Sequence, residues 1–193
     1  MVLGHLYADG GLVLTAAEAP EEGREALASG RLCAQARYAQ PGHQAWYSQR
    51  MAATSATVAA DMAGYACANL DYAFYAHQSL ASVAGLANLN GTRELRFAFC
   101  GCSALEEADL SGFDPSALED VGSCFQGCSA LETVWADAGW ELPEGCAGFA
   151  TFHGCTALAG GARTTYDEGR IAGTYMRIDG GEAAPGYLTA KAG

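Results

Sequence analysis

FCGCSAL occupies residues 99–105 and recurs as FQGCSAL at 125–131 and as FHGCTAL at 152–158. A weaker copy, FYAHQSL, occupies residues 74–80. The four phenylalanines are separated by 25, 26 and 27 residues, and His77 replaces the cysteine that the other copies carry three residues after the phenylalanine. Self-similarity at a period of roughly 20–29 residues is typical of proteins that stack one short structural unit. We therefore expect the four phenylalanines to align.

Each copy is followed by apolar residues at alternate positions, which is the pattern of a short strand with one buried face. Leu131 is followed in this way by Val134 and Ala136, and the copies at 74–80 and 99–105 precede similar patterns. The alternation predicts one strand of a parallel sheet after each of these copies.

The residues ahead of each phenylalanine follow a helical spacing instead. Leu118, Val121 and Phe125 stand at positions i, i+3 and i+7, which would place them on one face of a helix. Ser116 and Glu119 fit a capping box, in which both side chains satisfy free backbone amides of the first helical turn. Each unit is thus predicted to hold one short strand and one short helix.

Such units predict an α/β solenoid, a leucine-rich-repeat-like right-handed coil of strand-plus-short-helix units of about 25 residues. Residues 53–159 would form this coil, and residues 160–193 would form a β-containing C-terminal cap over its apolar edge. Residues 1–52 would form the N-terminal cap, with a hairpin that turns at Asp9-Gly10-Gly11 and a helix that carries Trp46.

The repeated heptapeptide and the end of the chain resemble a known family. FCGCSALEEADLSGFD at 99–114, its partner at 125–131 and the late segments TTYDE, YMRIDGG and PGYLT are similar to the BspA-like leucine-rich-repeat proteins of bacterial surfaces. The resemblance implies a surface-exposed or secreted adhesion protein without a cofactor. The sequence departs from the family in its Ala-, Glu- and Gly-containing repeat loops, and it shows neither an export signal nor a wall-sorting tail.

The charge balance excludes one class of partner. Ten Lys and Arg residues stand against 22 Asp and Glu residues, which gives a formal net charge of −12. Nucleic-acid binding draws most of its affinity from clustered basic residues, so we expect no nucleic-acid partner. We also expect no membrane insertion, because no apolar stretch approaches the length of a membrane span. The remaining expectation is a monomer that binds a protein or a glycan on a host or matrix surface.

The outward face of the predicted sheet carries the candidate binding residues. Period-two alternation sends Ser82 and Ala84 to this face together with the four candidates: Glu107, Asp109, Thr133 and Trp135. An exposed tryptophan offers a large area that a partner can desolvate, which makes it a candidate centre of an interface. The alternative is that Trp135 packs against Trp140 or against a terminal cap.

No catalytic or metal-binding residues are predicted. The cysteines at one shared repeat position fit the role of small buried hydrophobes, and metal binding or disulfides, with Cys100 and Cys124 as the pair to test, are the alternatives. A cysteine nucleophile needs an electropositive setting, and the surrounding charge is acidic. We therefore expect a non-catalytic binding or adhesion module, the alternative being a structural stalk or capping piece of a larger surface protein.

Overall fold

The computed structural model describes residues 3–31, 41–89 and 91–192. The strands are β1 (Leu3–Tyr7), β2 (Gly11–Thr15), β3 (Ala26–Arg31), β4 (Ser55–Val58), β5 (Ser82–Ala84), β6 (Glu107–Asp109), β7 (Thr133–Ala136) and β8 (Leu188–Ala190). The helical segments are short 3₁₀ helices at Tyr47–Ala52, Ala60–Gly64, Leu86–Asn88, Pro115–Ala117, Gly173–Tyr175 and Gly181–Ala183.

The first sheet has five strands in the order β3-β1-β2-β4-β5. β1 and β2 form the predicted antiparallel hairpin, which is confirmed by the pairing of Leu6 with Leu12. The turn is possible because Gly10 adopts a φ of 87° and the Asp9 carboxylate accepts a hydrogen bond from the Gly11 amide at 2.9 Å. β4 and β5 extend the sheet in parallel from β2.

The second sheet has three parallel strands in the order β6-β7-β8. β6 and β7 are the strands that the alternation predicts after the copies at 99–105 and 125–131. β8 brings the C-terminal segment beside β7, where Leu188 pairs with Val134. Within the described part of the chain, β5 and β6 do not pair, so the two sheets are separate.

The heptapeptide copies form tight turns that stack on one another. The Phe74 amide donates to the Ala98 carbonyl oxygen at 2.7 Å, and the Phe99 amide donates to the Cys124 carbonyl oxygen at 2.8 Å. The ring centroids of successive phenylalanines lie 5.0, 5.3 and 5.9 Å apart. The predicted alignment is confirmed, and we call this set the phenylalanine column: Phe74, Phe99, Phe125 and Phe152.

The predicted α/β solenoid is wrong. The strands lie in two sheets, one of which contains the antiparallel set β3-β1-β2, and they do not form the single parallel sheet of a right-handed leucine-rich-repeat-like coil. The described residues contain no α-helix. The protein is instead a small mixed fold of two sheets with few and short helices.

The predicted helices are absent because of the residue two positions before each phenylalanine. These residues all have φ values between 54° and 60°, in the left-handed region: Tyr72, Phe97, Ser123 and Ala150. A right-handed helix cannot contain such a residue. Hydrogen bonds from residue i to i−3, such as Ala98 N to Leu95 O, close separate turns instead. Consecutive short turns therefore produced the apparent helical spacing.

The predicted capping box at Ser116 and Glu119 is also wrong. Asp114 caps the 3₁₀ helix Pro115–Ala117, because its carboxylate accepts the Ser116 amide hydrogen bond at 2.9 Å. Glu119 forms an ion pair with Arg93 at the surface. Ser116 is thus held by Asp114 and Glu119 pairs with a residue of another turn, so neither has the role that a capping box requires.

A 3₁₀ helix, Tyr47–Ala52, begins where the Trp46 helix was predicted. Trp46 is fully buried over β1, where a Cβ on Gly4 would lie 2.5 Å from the indole ring. The first sheet joins β2 to β4 across the predicted boundary at residues 52 and 53. The division into 1–52, 53–159 and 160–193 remains a prediction.

Candidate binding surface

The second sheet brings the four predicted binding residues together on one face. Glu107 of β6 lies opposite Thr133 of β7, and Asp109 lies opposite Trp135. Along each strand, the residue between the two candidate residues is buried, so the observed alternation of buried and outward-facing positions is the predicted one. Glu107 is exposed and the other three are half-buried. We call these four residues the sheet-face cluster.

Trp135 is half-buried. Thr189 of β8 lies beside it in register, so the C-terminal strand covers one flank. Trp140 packs elsewhere: it is buried against Phe113 with ring centroids 6.0 Å apart, and its indole N–H donates to the Met176 carbonyl oxygen at 3.0 Å. Trp140 is thus a core residue, and it does not pack against Trp135 of the sheet-face cluster.

Asp109 is the charged centre of the sheet-face cluster. Partial burial raises the pKa of its carboxyl group, but hydrogen bonds from Lys191 and Ser111 outweigh burial and hold the pKa below its usual value. Lys191 Nζ lies 2.5 Å from Asp109 Oδ2, and the Ser111 amide donates to Oδ1 at 2.9 Å. Asp109 is therefore ionised at neutral pH and partly neutralised by a residue that follows β8.

The cysteines of the shared repeat position are buried hydrogen-bond donors. The thiols of Cys102, Cys128 and Cys155 lie 3.1, 3.1 and 3.0 Å from the carbonyl oxygens of the phenylalanines one copy earlier. Burial raises the pKa of Cys102 and of Cys155 to about 12. A thiol with such a pKa forms little thiolate at neutral pH, and the thiolate is the reactive form. These side chains hold adjacent turns together.

The structure bears on both alternative roles of the cysteines, disulfide formation and metal binding. Cys100 and Cys124 are both free thiols, so the pair singled out in the sequence does not form a disulfide. Cys67 is disulfide-bonded. In residues 3–31, 41–89 and 91–192, no group of three or more His, Cys, Asp and Glu side chains could hold a metal ion.

Sequence reasoning missed a charged cluster on the turn segments. Arg96 Nη2 forms an ion pair with buried Asp71, and Arg96 Nε lies 3.7 Å from Glu94 and 3.8 Å from Asp120. Burial raises the pKa of Asp71 and of Glu94. The signal was present in the repeats, because Asp71 and Arg96 each stand three residues before a phenylalanine of the column.

The same repeat position holds Phe149, which sequence reasoning also missed. Its side chain is 84% exposed, although it stands three residues before Phe152 in a well-formed turn. Phe149 precedes the heptapeptide copy at 152–158, and its residue type does not distinguish it from the buried phenylalanines. At the equivalent position Asp71 is buried and Arg96 is half-buried, so the repeat pattern does not predict the exposure of Phe149 either.

Two open grooves flank the segment from Pro143 to Cys146, with volumes of about 440 and 360 Å³. Cys146 lines both of them. Burial and, next, the Asp120 carboxylate raise the pKa of its thiol to about 11, which leaves it a poor nucleophile at neutral pH. The grooves offer contact surface without an activated cysteine.

No family model, curated protein or solved structure matches the chain. The likeness to BspA-like proteins therefore remains a prediction from the motifs. In the described part of the chain, no helix has both the length and the apolar character that a membrane crossing requires.

Proposed function

We propose that this chain is a non-catalytic module that binds a protein or a glycan through the sheet-face cluster. The observation that carries the proposal is the pairing of Asp109 with Trp135 on neighbouring strands. A partly exposed indole beside an ionised carboxylate supplies apolar area and a directed acceptor, and aromatic anchors of this kind dominate binding energies. The raised pKa values of the described cysteines support the non-enzymatic part of the proposal.

The proposed location is the bacterial surface or the secreted fraction, and the proposed partner is a host or matrix component. Both follow from the motif resemblance. The net charge of −12 favours a partner with a basic surface, because complementary fields speed association and suppress like-charged competitors. Adhesion is then the consequence of binding through one acidic, tryptophan-containing sheet face.

The second candidate is a structural stalk or capping piece of a larger surface protein, with no ligand of its own. The ion pair between Lys191 and Asp109 favours it, because this contact already occupies the carboxylate that a partner would use. In that case the sheet face is closed by β8, and Trp135 contributes only to packing.

Binding of labelled protein to an array of matrix proteins and glycans tests the first candidate. We expect Trp135→Ala to weaken capture by roughly tenfold or more, since tryptophan is a frequent energetic centre of interfaces. Glu107→Lys should weaken capture as well, and its exposed position makes it a charge reversal that leaves the fold intact.

Tyr65→Ala is the matched control, because Tyr65 is another exposed aromatic residue, at 44%, outside the cluster. Thermal unfolding of every variant separates lost binding from lost structure. Equal capture by the wild type, Trp135→Ala and Glu107→Lys would exclude the sheet face as the binding site. Absence of any capture by the wild type would favour the stalk.

A further inference from the structure

His5 and Ser29 form a hydrogen-bonded pair on two neighbouring strands of the first sheet. They lie opposite each other in the register of β1 and β3, and His5 Nδ1 is 2.7 Å from Ser29 Oγ. The histidine is buried, whereas the serine is exposed. A hydroxyl group on an exposed residue is therefore in contact with a base that is shielded from solvent.

The second nitrogen of the imidazole decides the direction of this hydrogen bond. His5 Nε2 lies 3.2 Å from the Ala17 carbonyl oxygen, which can only accept a hydrogen bond. In the neutral imidazole Nε2 therefore carries the proton, and Nδ1 presents a lone pair to which the Ser29 hydroxyl group donates. A hydroxyl group, a base and a group that orients the base are together the signature of an activated serine nucleophile.

The segment that carries the orienting carbonyl group is itself fixed by hydrogen bonds. The Ala17 amide donates to Thr15 Oγ1 at 3.0 Å, and Thr15 Oγ1 donates to Asp61 Oδ2 at 2.6 Å. The Ala16 amide donates to the same carboxylate oxygen at 3.1 Å. Because an imidazole base works only in the correct tautomer and orientation, this network holds the lone pair of the base towards the serine.

The neighbours of Ser29 on β3 favour an apolar reagent. Leu27, Ser29 and Arg31 are exposed, and the two residues between them, Ala28 and Gly30, are half-buried. The strand thus turns these three side chains outward, on the side opposite to the one that packs on the core. Leu27 is 38% exposed, so an apolar chain attached at Ser29 would gain free energy by covering it.

We propose that Ser29 is an acyl-acceptor site, modified by an activated ester or thioester that carries an apolar acyl chain. Ser29 Oγ attacks the acyl carbon while His5 Nδ1 takes the hydroxyl proton, and the bond from the acyl carbon to the leaving oxygen or sulfur breaks. The leaving group departs with the electron pair of that bond and takes the proton from Nδ1. The products are a serine ester, a neutral imidazole and a free alcohol or thiol.

Accepting one acyl group modifies the chain without turnover, which is compatible with the non-catalytic module proposed above. The site also uses none of the residues of the sheet-face cluster, so it does not depend on that function.

Reaction with p-nitrophenyl octanoate tests the proposal, with p-nitrophenolate release as the rate and peptide mapping by mass spectrometry as the location. The wild type should form an ester at Ser29, and Ser29→Ala should form none. His5→Gln should slow the reaction by at least about a hundredfold, because a positioned general base contributes roughly 10²–10⁴-fold. Ser48→Ala is the matched control, because Ser48 is another exposed serine and its hydroxyl group donates to Gln49 instead of a histidine.

A thiol at the same position gives a second measurement that needs no acyl donor. In Ser29→Cys, His5 should take the thiol proton, so iodoacetamide should alkylate this thiol at least about tenfold faster than the thiol of Ser48→Cys. Both substitutions stand at exposed positions, and thermal unfolding checks that the fold is retained.

The length of the acyl chain tests the contact with Leu27. The wild type should react faster with p-nitrophenyl octanoate than with p-nitrophenyl acetate, and Leu27→Ser should reduce this preference. An equal preference in the wild type and Leu27→Ser would refute the apolar specificity of the site.

Three further outcomes would overturn the proposal. The first is an ester that forms at another residue, or at none, when the wild type is treated with the octanoyl ester. The second is an equal rate in the wild type and a folded His5→Gln; if this variant does not fold, the comparison of the two introduced thiols decides. The third is equal alkylation of those two thiols. None of these results bears on the array experiment, which concerns the second sheet.

Discussion

His77 is the titrating member of a repeat position that is otherwise occupied by cysteine. The side chain is fully buried, its Nδ1 lies 3.1 Å from the Tyr75 carbonyl oxygen, and its Nε2 has no hydrogen-bond partner in the described structure. Burial lowers the pKa of His77 from 6.5 to about 4. The turn at residues 74–80 thus requires a neutral imidazole, whereas the other turns carry a thiol that stays neutral throughout.

This difference predicts a loss of stability in mild acid. The unfolded chain takes up a proton near pH 6.5 and the folded chain only near pH 4, so the contribution of His77 is complete above 6.5 and is lost progressively down to 4. The loss is about 3 kcal/mol. His77→Cys, the residue of the other three copies, should reduce this dependence.

Urea unfolding at a pH near neutrality and again near the lower pKa measures the effect. The wild type should lose more free energy of unfolding between the two conditions than His77→Cys does. His153→Gln is the control, because His153 is exposed beside Phe152 in another copy. Identical losses in the wild type and His77→Cys would contradict the assignment.

Asp179 organises the C-terminal segment that carries β8. Its carboxylate accepts hydrogen bonds from Thr164 Oγ1 at 2.7 Å, from the Thr164 amide at 3.0 Å, from the Ala162 amide at 2.8 Å and from the Gly181 amide at 2.9 Å. Burial raises the pKa of Asp179, but these hydrogen bonds outweigh it and hold the pKa below its usual value. One carboxylate therefore joins segments on both sides of it.

We expect Asp179→Ala to destabilise the protein by roughly 3 kcal/mol, because several buried amides lose their acceptor. Asp179→Asn should cost less, since one oxygen remains. The lowered pKa means that the wild-type contribution is present at neutral pH and is lost only as the pH falls below the usual aspartate range. Urea unfolding measures both variants.

Tryptophan emission supplies a second readout for Asp179→Ala. Release of β8 from β7 would expose the flank of Trp135 that Thr189 covers, so the emission should shift to longer wavelength before global unfolding. Glu182→Ala, at an exposed position of the same segment, should leave stability and emission unchanged. An Asp179→Ala protein as stable as Glu182→Ala would exclude this role for the carboxylate.

The strands and the hairpin turn at Gly10 were predictable from the sequence, whereas the turns ahead of the phenylalanines were not. The alternation around Ala108 and Val134 is a local signal, so it correctly placed β6, β7 and one common face for the four candidate residues. Tyr72 and Phe97 adopt a positive φ. A glycine in the sequence would have indicated this conformation, but a tyrosine or a phenylalanine does not. Without that signal, the apolar spacing of consecutive short turns resembles that of a helix, and a strand-plus-helix unit predicts a solenoid.

The rest of the candidate site depends on contacts between distant residues. Asp109 and Lys191 are 82 residues apart, and no local pattern predicts their ion pair. The exposure of Phe149 depends in the same way on how its turn stacks on the one before it. Hydrophobic patterning predicts which side chains share a face, but not which distant segment covers that face.

The phenylalanine column connects the two sheets of the whole molecule. Along the chain, Phe74 stands between β4 and β5 of the first sheet. Phe152 packs edge-to-face on Tyr187, with ring centroids 5.2 Å apart, and Tyr187 directly precedes β8 of the second sheet. All four rings belong to one buried cluster that extends from Leu6 of β1 to Leu188 of β8. A shared core of this kind predicts that both sheets unfold in one cooperative transition.

Phe125→Ala tests this cooperativity, because Phe125 is fully buried between Phe99 and Phe152. The substitution should cost about 3–5 kcal/mol through lost burial and the cavity left behind. Glu132→Ala, at an exposed position, should change stability by no more than about 0.5 kcal/mol. Urea unfolding of both variants is followed by far-ultraviolet circular dichroism and by tryptophan emission. The emission reports on both sheets, because Trp46 packs on the first sheet and Trp135 lies in the second. We expect the transitions from the two probes to coincide. Two separated transitions in Phe125→Ala would show that the sheets are stable independently and that the column does not couple them.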